Sequence, residues 1–440
     1  MLLKDLDPAE AGRLTALLDE ALDLPVTERR DWHARLAERE PLLPSLVTEL
    51  LAAMALPQRE TVAGTRDLIA RQLARVDEKP SLEGRMFGPY RIVRLLGRGG
   101  MGSVWLAERS DGLFARQVAL KLVNASLTGP SFSERFARER SILATLNHPY
   151  IARLFDAGVA EDGQHYLAIE YIEGTPLTTY CDEHCLTLHQ RIDLLLQVLA
   201  AVRHAHQNLT VHRDLKPSNI LVTSERRVRL LDFGIAKLLT EGESNENELT
   251  DVGGRALTLE YAAPEQIAGQ PVSTATDVYS LGVLLYTLLC GQRPFQLPRQ
   301  SRGALEEAIL RHDPIKPSQQ PISPAIAHAR STTLKKLTQA LGGDLDTITL
   351  KALKKKPAER YATADAFMQD LQRYLTGMPV LARPDRASYR LGKLVARNKV
   401  KVAVAAAVGI VLIGAPVLLL RQAHIALETA KAMCVAQNNT

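Results

Sequence analysis

The chain has 440 residues, room for about three domains. With 46% hydrophobic and 23% charged residues, most of it is expected to fold and bury a core. The net charge of +5 gathers near residues 373–401, so no basic stripe on a folded face points to nucleic acid, and four cysteines suit a reducing compartment better than a disulfide framework.

Residues 1–80 read as a small helical region. Leu14, Leu17, Leu18, Ala21 and Leu22 recur at helical spacing, as do Leu46, Val47, Leu50 and Leu51, with Pro25, Pro41 and Pro44 as punctuation. Lys4, Asp5, Asp7, Glu10 and Arg13 break any apolar run of the kind a signal peptide needs. The role of this region is left open by the sequence. Residues 81–89, with Gly84, Gly88 and Pro89, read as a linker.

From residue 90 the pattern changes to strands. A β-rich run over 90–96 leads into Gly97-Arg98-Gly99-Gly100-Met101-Gly102-Ser103-Val104. Glycines let a backbone approach phosphate oxygens and offer its N–H groups. A dinucleotide site wants a helix straight after such glycines. Here the chain continues as a strand, so a hairpin flap over nucleotide phosphates is expected. A strand over 118–121 ends in Lys121, and a helix over 136–146 carries Glu139. An apolar strand follows over 166–171 and reads as running into a hinge between two lobes. Backbone groups of Glu170 and Ile172 there suit a purine edge.

The chemistry concentrates in Val-His-Arg-Asp-Leu-Lys-Pro-Ser-Asn at 211–219 and in Leu-Asp-Phe-Gly at 231–234. Asp214, Lys216, Asn219 and Asp232 are equipment for holding a metal-bound polyphosphate and taking a proton from a hydroxyl. Cys181, His184 and Cys185 invite a metal reading. No second ligand pair follows at zinc spacing, so a surface loop is expected.

The ordered set of Gly97, Gly99, Gly102, Lys121, Glu139, His212-Arg213-Asp214, Asn219, Asp232-Phe233-Gly234, Ala263-Pro264-Glu265 and Asp277 resembles the eukaryotic-type protein kinase family over about residues 88–376. Gly-Gly-Met-Gly at 99–102, Leu-Asn-His-Pro at 146–149 and Gly-Asp-Leu-Asp at 343–346 are similar to bacterial (Hanks-type) transmembrane serine/threonine kinases. The resemblance implies an α+β, two-lobed fold over 90–376, with a small β-rich N-lobe and a larger helical C-lobe. It implies ATP and Mg²⁺ (or Mn²⁺) as cofactors. ATP falls to Gly97, Arg98, Gly99, Gly100, Met101, Gly102, Val104, Ala119, Lys121, Glu170 and Ile172. Asp214 accepts the substrate proton, Lys216 steadies the γ-phosphate, Lys121 pairs with Glu139, and Asn219 and Asp232 hold the metal. Asp277 braces the catalytic loop, and Arg360 partners Glu265.

The segment 232–265 resembles an activation loop, with Thr240, Ser244 and Thr250 as regulatory phosphosites and Thr250 favoured. Thr258 belongs to the substrate pocket, although Leu257 precedes it where many relatives have glycine. Residues 296–330, rich in Pro, Gln and Ser, read as irregular lobe surface, and Cys290 as core. A helix over 364–374 closes the domain.

Residues 377–401 form a basic juxtamembrane segment with Arg383, Arg386, Arg390, Lys393, Arg397, Lys399 and Lys401. Residues 402–420 carry no charge and, at ~1.5 Å per residue, nearly match a ~30 Å hydrocarbon core. A single transmembrane helix is expected there, with Pro416 as a place to kink. The excess of basic residues before the span puts the kinase side in the cytoplasm and the short tail, 421–440, outside. Expected partners are cytoplasmic protein substrates, the lipid bilayer of the inner membrane and a second copy in a homodimer on activation. A kinase-like scaffold that binds nucleotide and recruits partners is the alternative to an enzyme.

Overall fold

The computed structural model describes residues 82–99, 102–112, 116–123, 136, 140, 143–233, 259–295, 302–384 and 387–437. The chain divides into two units, Met1–Leu82 and Glu83–Thr440. The helical region expected over 1–80 lies outside the described residues.

The second unit begins with a six-stranded sheet in the order β1-β2-β3-β4-β6-β5, every neighbouring pair antiparallel. Its strands are β1 (Met86–Phe87), β2 (Tyr90–Gly99), β3 (Gly102–Arg109), β4 (Gln117–Val123), β5 (Leu154–Val159) and β6 (His165–Glu170). Residues 86–87, inside the expected linker, are thus a strand. Phe87 is fully buried, which explains why the chain turns back onto β2 at once. In β4, Val118, Leu120 and Leu122 face the core, so Ala119 and Lys121 share the other face by the two-residue period. Two register shifts in β2, between Ile92 and Arg94 and between Leu95 and Gly97, bend the strand just before the glycine turn.

The larger lobe is helical. After β7 (Thr175–Pro176) come α1 (Leu177–Glu183) and α2 (Leu188–Gln207), then the hairpin β8 (Ile220–Val222) and β9 (Val228–Leu230). They are followed by α3 (Pro264–Ile267), α4 (Thr274–Cys290), α5 (Arg302–Arg311), α6 (Pro324–His328), α7 (Leu334–Leu341), α8 (Asp344–Ala352) and α9 (Ala364–Leu375). A reciprocal cap starts α2: Gln190 N–H donates to Thr187 Oγ1 and Thr187 N–H to Gln190 Oε1. Helix α4 is buried on nearly every side and forms the centre of the core, so its sequence is apolar all round. It stops at Gly291, whose φ of 69° is the left-handed cap that glycine adopts without strain.

Two expectations are corrected here. The Pro, Gln and Ser-rich stretch 296–330 contains α5 and α6: Ser323 caps α6 and Pro324 takes its first position, the chemistry of a helix start. The Cys181-to-Cys185 stretch is not a surface loop. Cys181 lies in α1, fully buried, and burial pushes its thiol up to about 11. His184 stacks on Tyr180 and bonds its carbonyl oxygen. Among the described residues no group of three His, Cys, Asp or Glu side chains is placed to hold a metal by itself. Cys290 is core, as expected.

Beyond α9 come α10 (Ala387–Arg397) and α11 (Lys399–Gln437), a helix of 39 residues that runs through Pro416 and takes in most of the expected tail. Among the described residues no helix is long and apolar enough to cross a membrane. Many side chains within 402–420 lie outside them.

Candidate active site

The loop between α2 and β8 carries Asp214, Lys216 and Asn219, and a buried carboxylate anchors it. Asp277, in the first turn of α4, is 1% exposed and accepts the backbone N–H groups of His212 at 2.8 Å and Arg213 at 2.9 Å. It also meets His206 Nε2 of α2 at 2.8 Å. One buried carboxylate therefore joins the loop to the two longest helices of the lobe. Gln266 of α3 adds a fourth tie, donating to Arg213 O at 2.9 Å. Arg213 has a φ of 65°, a conformation costing roughly 1–3 kcal/mol for a non-glycine residue.

His212 is fully buried, and burial holds its imidazole below the usual range against the opposing charge of Asp277. As the neutral ring it donates Nε2–H to Leu231 O at 2.9 Å, and Nδ1 accepts the Asp214 N–H at 3.4 Å. The ring also packs on Phe233, with centroids 4.7 Å apart. His212 thus couples the two motifs, 211–219 and 231–234, through one side chain.

Above this frame Asp214 is surrounded by donors. Lys216 Nζ lies 2.9 Å from Asp214 Oδ2, and Asn219 Nδ2 donates to Asp214 O at 2.8 Å and to Oδ2 at 3.1 Å. The β8–β9 hairpin, with Ile220 opposite Leu230, sends Asn219 and Asp232 off the same end. Leu231 N–H bonds Asn219 O at 2.8 Å and fixes that spacing. Asp232, with a φ of 42°, turns its carboxylate to Lys121 Nζ at 3.0 Å. Lys121 stands opposite Val104 on β3 and Leu167 on β6. The β-sheet lobe and the helical lobe therefore each contribute one member of this ion pair.

The glycine-rich strands β2 and β3 belong to the same sheet as Lys121. Gly99 pairs with Gly102 across the turn between β2 and β3. A Cβ on Gly102 would stand 2.0 Å from Leu122 O, and its φ of 141° belongs to glycine. A Cβ on Gly97 would meet nothing within 4 Å, so that stretch of β2 borders open space. Arg98, Val104 and Ala119 lie on strands of this hairpin and its neighbour. Open space at Gly97, a lysine, and an Asp and Asn oxygen pair suit a triphosphate and a hard cation that shares its ligands with phosphates. At the edge of β6, Glu170 is clamped: its carboxylate pairs with Arg229 and accepts the Arg153 N–H at 3.2 Å. Its own N–H goes to Arg153 O at 2.8 Å.

Glu265 and Arg360 form a buried two-pronged pair, both bonds 2.7 Å, with Thr276 Oγ1 donating to the same carboxylate at 2.8 Å. Burial alone would raise the Glu265 carboxyl, but the bonds from Arg360 outweigh it and hold the group below the ordinary range. Gly100, Met101, Glu139, Thr240, Ser244, Thr250 and Thr258 lie outside the described residues.

Sequence reasoning missed His206, Gln266 and the bridging role of His212. The first two carry no motif of their own; only the α4 carboxylate and the loop backbone reveal what they bond. For His212 a signal was there: a histidine two residues before Asp214 in the motif at 211–219.

The protein kinase domain family matches residues 90–371. The chain is 36% identical over 295 residues to serine/threonine-protein kinase PknB of Mycobacterium tuberculosis, covering 66% of this chain and 43% of that protein. It is 35% identical over 308 residues to PknB of Mycobacterium leprae, covering 68% and 46%. To serine/threonine-protein kinase PrkC of Bacillus subtilis it is 32% identical over 293 residues, covering 66% and 41%. The chain thus spans less than half the length of these relatives. A two-lobed fold, a glycine hairpin, a lysine–aspartate pair between the lobes, and a family match across most of the second unit lead to one conclusion: the chain belongs to the protein kinase family, in the company of bacterial serine/threonine kinases of the Hanks type.

Proposed function

We propose that the chain is a membrane-anchored serine/threonine protein kinase that transfers the γ-phosphoryl group of ATP to hydroxyls of cytoplasmic proteins. The observation that carries this is the cluster at Asp214, whose carboxylate is held by Lys216 and Asn219, together with the Lys121–Asp232 pair. Phosphoryl transfer needs little covalent help from a protein; it needs alignment and neutralised charge. Asp214 accepts the proton of the attacking hydroxyl. Lys216, within reach of the same carboxylate, neutralises charge on the transferred group. Asn219 and Asp232 would hold Mg²⁺, or Mn²⁺, which would supply positive charge to neutralise the phosphates. Lys121 contacts the α- and β-phosphates, oriented by Glu139. The glycine hairpin from Gly97 to Gly102 covers them, with Arg98, Gly99, Gly100, Met101, Val104 and Ala119. The adenine edge falls to the Glu170 carbonyl, since its N–H is already donated, and to Ile172. Thr258 shapes the protein-substrate pocket.

Regulation belongs to the same proposal. A phosphate on Thr250, or on Ser244 or Thr240, reaches Arg213 beside the catalytic aspartate through charge-assisted bonds. Activation proceeds by phosphorylation between two copies. Residues 402–420 cross the inner membrane once, with the kinase domain cytoplasmic and the C-terminal end outside. The uncharged run and the basic residues before it support this reading.

The test is transfer of radiolabel from ATP to a generic basic protein by the full chain and by Asp214→Ala. The expected result is transfer by the native chain and a loss of about 10²–10⁴-fold in the variant, the usual weight of a general base. The circular dichroism spectrum stays unchanged. A native chain that binds ATP and transfers nothing would establish the scaffold reading instead.

A further inference from the structure

The chain leaving the catalytic domain does not hang from it. Two buried carboxylates of the helical lobe catch it in succession. Asp370 of α9 is fully buried and accepts Leu381 N–H at 2.6 Å, Ala382 N–H at 2.8 Å and Tyr361 O–H at 3.0 Å. Asp344, at the start of α8 and 6% exposed, receives three groups from further on. They are Lys393 Nζ at 2.6 Å, Tyr389 O–H at 3.0 Å and Arg383 Nη1 at 3.3 Å. Tyr389 O–H also lies 3.0 Å from Val380 N–H, which donates to it. Helix α10 is therefore seated on the lobe by its Tyr389–Lys393 face.

The other face of α10 is apolar and exposed. Leu391 is 62% exposed, Leu394 50% and Val395 38%. At ~100° per residue, Leu391 lies about 200° round the helix from Tyr389, with Leu394 and Val395 at about 140° and 240°. That arc stands opposite the seat. Arg390 and Arg397, at about 100° and 80°, stand along one border of it. Two residues beyond Arg397, at Lys399, the chain enters α11, whose residues 402–420 carry no charge.

We propose that Ala387–Arg397 is a membrane-surface helix. One face is bolted to the catalytic domain by Asp344, and the Leu391, Leu394 and Val395 face is bedded among the headgroups of an anionic leaflet, so that the cleft is held at one height and orientation above the membrane. The proposal rests on the reading of 402–420 as a membrane span. That span brings α10 to the lipid–water boundary, where an apolar strip bordered by arginines matches acyl chains beneath negative headgroups. Rigidity is the consequence: substrates are reached within a fixed distance of the bilayer rather than on a swinging tether.

The full chain is placed in nanodiscs of phosphatidylcholine with or without phosphatidylglycerol, with brominated acyl chains as the quencher. Tryptophan emission of Leu391→Trp and, separately, Leu412→Trp is compared with that of the native chain. The expected result is added emission from 391 that brominated lipid quenches, more strongly with phosphatidylglycerol. That extra quenching is lost when Arg390 and Arg397 are both changed to Gln. Emission from 412 is quenched in either lipid. Quenching at 412 without quenching at 391 overturns the surface helix and leaves the span standing. Quenching at neither position overturns the span, and the surface helix with it. A dimer in detergent that Leu391→Glu dissociates, with no lipid quenching at 391, assigns the face to a second copy and overturns the proposal.

Discussion

Asp277 illustrates how much a single buried side chain organises. It accepts two backbone N–H groups of the catalytic loop and meets His206, all within 2.9 Å. Asp277→Ala leaves those donors without a partner in a dry place, at about 1–3 kcal/mol for each buried group so stranded. The expected outcome is a lower unfolding midpoint in urea together with lost phosphotransfer. Asp277→Asn keeps one acceptor and loses less on both counts. Glu265 makes the matching case for charge. Its carboxyl is held below the ordinary range, so the folded state binds fewer protons than the unfolded one in acid. The Glu265–Arg360 pair therefore contributes its full stability above the unfolded carboxylate value of about 4.3 and loses it as pH falls below that. Thermal melts from neutral pH down should show a drop beginning in that range. Glu265→Gln should melt lower at pH 7, by up to about 3–5 kcal/mol for a broken buried pair, and show a flatter acid limb.

At the scale of elements, the glycine hairpin was legible because its residue types are forced. Only glycine fits at 102, where a Cβ would meet Leu122 O at 2.0 Å. Gly102→Ala should raise the KM for ATP, with a stability cost of at least about 1–3 kcal/mol from the strained φ alone. Isothermal titration with a non-hydrolysable ATP analogue measures the binding loss directly. The motifs 211–219 and 231–234 were legible for the same reason: phosphoryl transfer demands those side chains in that order. The helices of 302–328 were not, since proline and serine there read as punctuation when they serve as first positions and caps. Cys181 and Cys185 read as a surface pair. The helix that buries Cys181 depends on Arg191, which donates to Cys181 O at 2.8 Å, and no local pattern announces that contact. Asp344 and Asp346 were visible only as shared wording with bacterial kinases. Asp346 bonds Ser318 N–H at 2.9 Å and its hydroxyl at 2.6 Å, while Asp344 gathers α10, and neither partner is near in sequence. Asp344→Ala should free α10, seen as faster trypsin cleavage at Lys393 and Arg397 with the catalytic domain itself still resistant.

Across the whole molecule, the helical lobe holds parts of the basic segment that follows it. Asp370 of α9 holds the chain at Leu381 and Ala382, and Asp344 of α8 holds α10 at Tyr389 and Lys393. What the sequence presents as a kinase domain followed by a basic tail is, in the described residues, one body up to Arg397. On the proposed reading, the domain transfers phosphate to serine and threonine hydroxyls of proteins through Asp214. The most direct measurement is phosphoamino-acid analysis of a basic protein incubated with the full chain, Mg²⁺ and radiolabelled ATP, beside Asp214→Asn as the blank. The account predicts phosphoserine and phosphothreonine from the native chain alone; label on tyrosine, or equal label in the Asp214→Asn sample, would contradict it.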